Sequence, residues 1–125
     1  MEALSRKIIE LASDALAAED LYLRESVSSN PCYSGKNGGL LLINNERFYQ
    51  FAIARYLIKH LRRPVLVESQ YHDLMVLRED GAPEIVVEMK RWMTAQGNVE
   101  LRGIKEDIEK LERLEAPIGL LMIFS

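Results

Sequence analysis

His72-Asp73-Leu74-Met75-Val76-Leu77 and Glu84-Ile85-Val86-Val87-Glu88-Met89-Lys90, joined by Arg78-Glu79-Asp80-Gly81-Ala82-Pro83, decide how this chain folds. Both runs are short and apolar, and the second is β-branched at its centre, which suits a pleated, half-buried surface. Asp80-Gly81 between them is a hairpin turn signal. Two antiparallel strands are therefore expected. Side chains alternate faces along a strand, so Glu88 and Lys90 share one face and Met89 takes the other. Asp73 stands near the start of the preceding strand. Pairing of the two strands brings it beside Glu88 at one edge of the sheet. The same alternation puts His72 opposite to Asp73, away from any chemistry there.

Working outward, Val65-Leu66-Val67-Glu68 reads as a strand before the pair, and Pro64 ends whatever precedes it. A helix runs up to about Leu61. Asn44 or Asn45 can cap it, since a short side-chain acceptor satisfies a free backbone N–H. Its inward stripe is expected to be Glu46, Gln50, Ile53 and Leu57, flanked by Tyr49 and Ala54, with Arg55, Lys59, Arg62 and Arg63 toward its far end. On the other side, after the polar residues Thr94 to Asn98, Leu101, Ile104, Ile108, Leu111 and Leu114 form an apolar stripe at helical spacing. Glu106/Lys110 and Glu109/Arg113 support that helix as i,i+4 pairs. Pro117 follows, and Ile118 to Phe124 reads as a buried last strand. An N-terminal helix over Leu4 to Ala18 precedes the whole, and Tyr22 to Val27 fits no single pattern. The expected fold is α/β (α+β): a mixed sheet flanked by helices in the order α-β-β-β-α-β, with an extra N-terminal helix.

Composition bounds the function. The chain has 125 residues, of which 48% are hydrophobic and 28% charged, as in a single globular domain. Residues 1–43 form an N-terminal helix and loop, and 44–124 the core. Cys32 is the only cysteine, which excludes an internal disulfide or a zinc ribbon and suits a reducing, cytoplasmic setting. The run Ile118 to Phe124 is far short of the ~20 residues that span a bilayer. The net charge of −3 is uneven: residues 1–63 hold nine Lys/Arg and seven Asp/Glu, and residues 64–125 hold seven and twelve. A polyanionic partner would therefore need local basic groups or a bound metal.

Asp73, Glu88 and Lys90 place charge on strands otherwise fit for burial. Two adjacent carboxylates repel, and burial worsens the repulsion. A hard divalent cation resolves it, because Mg²⁺ takes one or two carboxylates plus waters and phosphate oxygens. The backbone carbonyl of Met89 offers a further ligand, and Lys90 adds a positive charge beside the metal. Glu-x-Lys also occurs on solvated strand faces, where a pair contributes about 1 kcal/mol or less.

In this conjunction the chain resembles the PD-(D/E)xK nuclease superfamily, the restriction-endonuclease-like fold. Asp73 followed by Ile85-Val86-Val87-Glu88-Met89-Lys90 carries the resemblance, and residues 44–124 follow that family's core order of helix, three strands, helix, strand. The resemblance implies that Asp73 and Glu88 bind Mg²⁺ (or Mn²⁺), that Lys90 assists the water, and that Glu46 on the first core helix joins them. The residue before Asp73 is His72, where a proline is common in the family. The implied activity is metal-dependent hydrolysis of DNA phosphodiester bonds. The small size suggests a homodimer, or a subunit of a larger assembly, for substrate grip. Arg91, Arg102 and Lys105 are the basic candidates for phosphate contact.

Other residues have plainer readings. Ser34 to Gly39 lacks the spacing of a P-loop and reads as a connection. Glu68 ends a strand near Asp73 and suits a plain strand-end acid more than a member of the metal site. Gln96 fits a loop better than a substrate contact. Tyr71 and Trp92 suit packing more than base stacking. Cys32 has no nearby His to activate it. Two further classes stay open: a nuclease-like fold that has lost cleavage and serves as a binding or regulatory subunit, and a protein-interaction module using the acidic helix Glu100 to Glu115.

Overall fold

The computed structural model describes residues 2–27, 46–69, 72–91, 98–113 and 118–124. Its elements are α1 (Glu2–Val27), α2 (Glu46–Leu61), β1 (Val65–Ser69), β2 (His72–Leu77), β3 (Pro83–Arg91), α3 (Asn98–Glu112) and β4 (Ile118–Phe124). The expected helix and strand order is present. The N-terminal helix is longer than its pattern suggests, because the ambiguous Tyr22–Val27 continues it, with Leu23 buried and Tyr22 exposed. The expected loop at 34–39, the apolar run 40–43, the caps Asn44 and Asn45, and Cys32, Tyr71, Trp92, Gln96, Leu114 and Pro117 lie outside the described residues.

The four strands form one mixed sheet in the order β1-β2-β3-β4. β1/β2 and β2/β3 are antiparallel, and β3/β4 are parallel, joined through α3. A parallel pair needs such a crossover, whereas antiparallel neighbours can be joined by a tight loop. The β2–β3 hairpin closes tightly: Arg78 N–H donates to Ala82 O at 2.8 Å and Gly81 N–H to Arg78 O at 2.9 Å. Gly81 sits at φ 87°, a left-handed conformation that glycine adopts without steric cost. Asp80 Oδ1 accepts the Ala82 N–H at 2.9 Å, fixing the turn.

The two faces of the sheet differ in chemistry. Leu74, Val76, Ile85, Val87 and Met89 point to one face and pack against Ile8, Leu11, Ala12 and Ala15 of α1 and Ile53, Ala54 and Leu57 of α2. This is the main core. The other face carries Val86, Glu88 and Lys90 and receives α3, as the contacts of Leu111 with Gly119 and of Lys90 with Gly103 show. Gly119 pairs with Val86 in the parallel register, so both belong to the α3 side.

The face that α3 presents departs from expectation. Leu101 and Ile108 stay 56% and 43% exposed, while Gly103, Ile104, Asp107, Lys110 and Leu111 are half-buried. Two energies bear on the choice. Fully burying a large apolar side chain is worth about 1.5–3 kcal/mol. Breaking a buried ion pair by removing one partner costs about 3–5 kcal/mol. With Glu88 and Lys90 on the sheet, turning Asp107 and Lys110 inward gives both charges a partner, while Ile104 and Leu111 of the apolar stripe still turn inward beside them. Among the described residues, no helix is long and apolar enough to cross a membrane.

Candidate functional site

Asp73 and Glu88 come together on neighbouring strands, as the alternation of β2 and β3 requires. The β2–β3 backbone pairing runs from Leu77↔Pro83 to Leu74↔Val87. Beyond it, the Met89 N–H donates to the Asp73 carboxylate, Oδ2, at 2.6 Å. A side chain thus replaces a backbone acceptor where the strands begin to part. Asp73 is half-buried and Glu88 is 3% exposed. Burial holds the Asp73 carboxyl above its ordinary 3.8; the charges of Glu88 and Glu68 and a hydrogen bond with Glu88 push the same way, against the Met89 N–H. Two carboxylates in this position favour keeping a proton between them.

Glu88 also has two basic neighbours. Its Oε1 lies 2.5 Å from His72 Nδ1 and 3.1 Å from Lys110 Nζ. The His72 tautomer decides which of the two groups donates in that contact. The contact corrects the expectation that His72 turns away from the acids. Strict alternation holds only along a regular ladder, and here the ladder has opened. His72 is 6% exposed and reaches Glu88 from the opened end of β2.

The same end of β2 is tied to α2. Glu68 of β1, opposite Asp73, stands at φ 54°, outside strand geometry. Gln50 of α2 is 2% exposed. Its Nε2 donates to the Asp73 carbonyl at 2.8 Å and to Glu68 Oε1 at 2.8 Å. The half-buried Asp73 carbonyl thereby has a side-chain partner. Arg47 Nη1 approaches Glu68 Oε1 at 3.3 Å from the surface. Glu46, the implied helix acid, opens α2 and is half-buried, one turn before Gln50.

Lys90 extends along the face of α3. Its Nζ is 3.7 Å from Asp107 Oδ2. A Cβ at Gly103 would stand 2.9 Å from that Nζ, so the ammonium occupies the room left by the missing side chain. Burial raises the Asp107 carboxyl above its ordinary value, the charges of Lys90 and Lys110 oppose this, and Asp73 adds to it. Asp73 is thus close enough to be felt by Asp107.

Sequence reasoning missed Asp107, Lys110 and the role of His72. One signal was present. Gly103, Asp107 and Lys110 repeat at spacings of four and three, a single helix face, opposite a strand carrying Glu-x-Lys. Of the proposed phosphate contacts, Arg102 and Lys105 are exposed on α3, and the Arg91 side chain lies outside the described residues.

The donor set suits a hard cation in part. Among the described residues no three His, Cys, Asp or Glu side chains form a ready cation cage. Asp73 and Glu88 supply two oxygen donors, and the Met89 backbone stands against Asp73. Mg²⁺ is ordinarily held this way, by one or two carboxylates with water and substrate phosphates filling the rest of the shell. Burial chiefly, and the Glu88 and Glu68 charges beside it, raise Asp73, and a cation would offset both, which is the physical reason the residues fit. No protein-family model, curated protein or solved structure matches the chain.

Proposed function

We propose that the chain is a metal-dependent nuclease that hydrolyses DNA phosphodiester bonds, with a PD-(D/E)xK-like core. One observation carries this reading: two carboxylates from adjacent antiparallel strands, Asp73 and Glu88, lie side by side with Lys90 on the Glu88 face of the sheet. Asp73, Glu88 and the Met89 carbonyl would hold Mg²⁺ or Mn²⁺. The bound ion would supply Lewis acidity toward a phosphate oxygen and acidify water. Lys90 orients the attacking water by hydrogen bonding and meets the negative charge that builds on the phosphate. Gln50 keeps the Asp73 backbone in place. Glu46 is the fourth candidate, one helical turn from Gln50. Exposed Arg102 and Lys105 suit contacts to the DNA backbone. A homodimer or a larger assembly would enlarge that basic surface.

The test is cleavage of supercoiled plasmid and of single-stranded DNA with Mg²⁺ or Mn²⁺. Cleavage is expected that EDTA stops and that Asp73→Ala and Lys90→Ala abolish. No cleavage by the wild type, or cleavage that persists in both variants, overturns the proposal.

A second reading draws on the ion pairs of Glu88 and Lys90. Both charges have partners in this structure, His72 and Lys110 for one and Asp107 for the other. Such pairing suits a nuclease-like fold that binds or regulates without cutting. DNA binding with no cleavage under either metal would favour it.

A further inference from the structure

We propose that Lys110 is a resident counter-ion of Glu88, a built-in cation that a divalent metal must displace. The inference rests on the metal reading of Asp73 and Glu88. Glu88 is nearly fully buried, and a buried carboxylate needs a charged or hydrogen-bonded partner. Lys110 Nζ meets that need at 3.1 Å on Oε1, the same oxygen that His72 Nδ1 holds at 2.5 Å. That oxygen already has two nitrogen partners, so a metal bound there competes with both. The two partners differ in freedom. The His72 ring is buried, whereas the Lys110 side chain is 36% exposed. An ammonium on a flexible four-carbon stem can swing into water at small cost. Lys110 is therefore the partner that yields.

Three consequences follow. Without metal, Lys110 stabilises the carboxylate that would otherwise be buried unpaired. With metal, its positive charge opposes the ion. Metal alone then binds weakly, and the negative phosphates of a substrate favour the exchange by drawing the freed ammonium as well as completing the shell.

Calorimetric titration of Mn²⁺ into the full chain tests this, with wild type, Lys110→Met, and Lys59→Met as a charge-matched control on α2. Lys110→Met is expected to bind Mn²⁺ about tenfold more tightly than wild type, through the loss of one competing ion pair. Lys59→Met is expected to match wild type. In EDTA, Lys110→Met melts below wild type, and Mn²⁺ raises its melting temperature by more. Equal or weaker binding in Lys110→Met overturns the counter-ion role and leaves the metal reading standing. Binding in neither protein overturns both. Should Lys110→Met fail to fold, Lys110→Arg serves instead. Its planar fork grips a carboxylate more firmly, so Mn²⁺ binding must weaken; unchanged affinity overturns the proposal.

Discussion

The Lys90 ammonium lies in the space that a side chain at Gly103 would fill, 2.9 Å from the position of its Cβ. Glycine in a helix interior costs about 1 kcal/mol relative to alanine, yet here it sits mid-way along α3. Gly103→Ala is therefore expected to leave thermal stability unchanged or slightly raised, because the obstructing group is the movable end of a lysine. Cleavage should fall by about ten- to a hundredfold, since small misplacements of a positioning group have effects of that order. Melting curves and metal-dependent cleavage rates measured together check this. A variant as active as wild type would show that the position of Lys90 does not matter.

Gln50 carries a separate prediction, on stability. Gln50→Leu keeps much of the volume and removes the donor shared by the Asp73 carbonyl and Glu68. A fully buried carbonyl left without a partner costs about 1–3 kcal/mol, and this one is half-buried, so urea unfolding should show a loss near the lower end, about 1 kcal/mol. A loss well below 1 kcal/mol would mean that the end of β2 is held by other contacts.

Much of this arrangement was legible in the sequence. The β2–β3 pairing followed from two apolar runs around Asp80-Gly81, and it brought Asp73 to Glu88 as alternation demands. His72 was not legible, because its approach to Glu88 depends on the ladder opening past Leu74↔Val87, and no local pattern marks that point. The orientation of α3 was misread for an energetic reason. Its apolar stripe argues for burying Leu101 and Ile108, but the helix instead brings Lys110 and Asp107 to Glu88 and Lys90, with Ile104 and Leu111 turned inward beside them. A helix facing charged strand residues is decided by those charges, and spacing alone does not reveal them.

The raised Asp73 carboxyl makes stability depend on pH. Its folded value lies above the ordinary 3.8, so the folded state binds the proton more tightly than the unfolded chain. The stabilising contribution is fully present below pH 3.8 and is lost as pH rises through the folded value. Asp73→Asn keeps an acceptor for the Met89 N–H and removes the titration. In EDTA, its stability relative to wild type should therefore rise as pH is raised from 3.8 toward neutrality. Asp107 shifts in the same direction and feels the Asp73 charge, so the difference reports Asp73 together with its influence on Asp107. Parallel pH profiles of the two proteins would contradict the assignment.

DNA affinity should carry the mark of Arg102 and Lys105. Both are exposed on α3, three residues apart and hence on neighbouring positions of the helix surface. Each phosphate contact adds about 0.9 to the slope of log affinity against log salt. Replacing both by alanine should lower that slope by about 2, with a uniform loss across DNA sequences. An unchanged slope would place the DNA on another face.

The most direct measurement is an anomalous difference map from crystals grown with Mn²⁺. A peak is expected between the carboxylates of Asp73 and Glu88, at roughly 2.0–2.2 Å from an oxygen of each, close to Mg²⁺-like coordination distances. Lys110 should have moved off Glu88 in that crystal. Crystals grown with Mn²⁺ that show no peak between the two acids, or manganese bound elsewhere, would contradict a metal-dependent site on these strands.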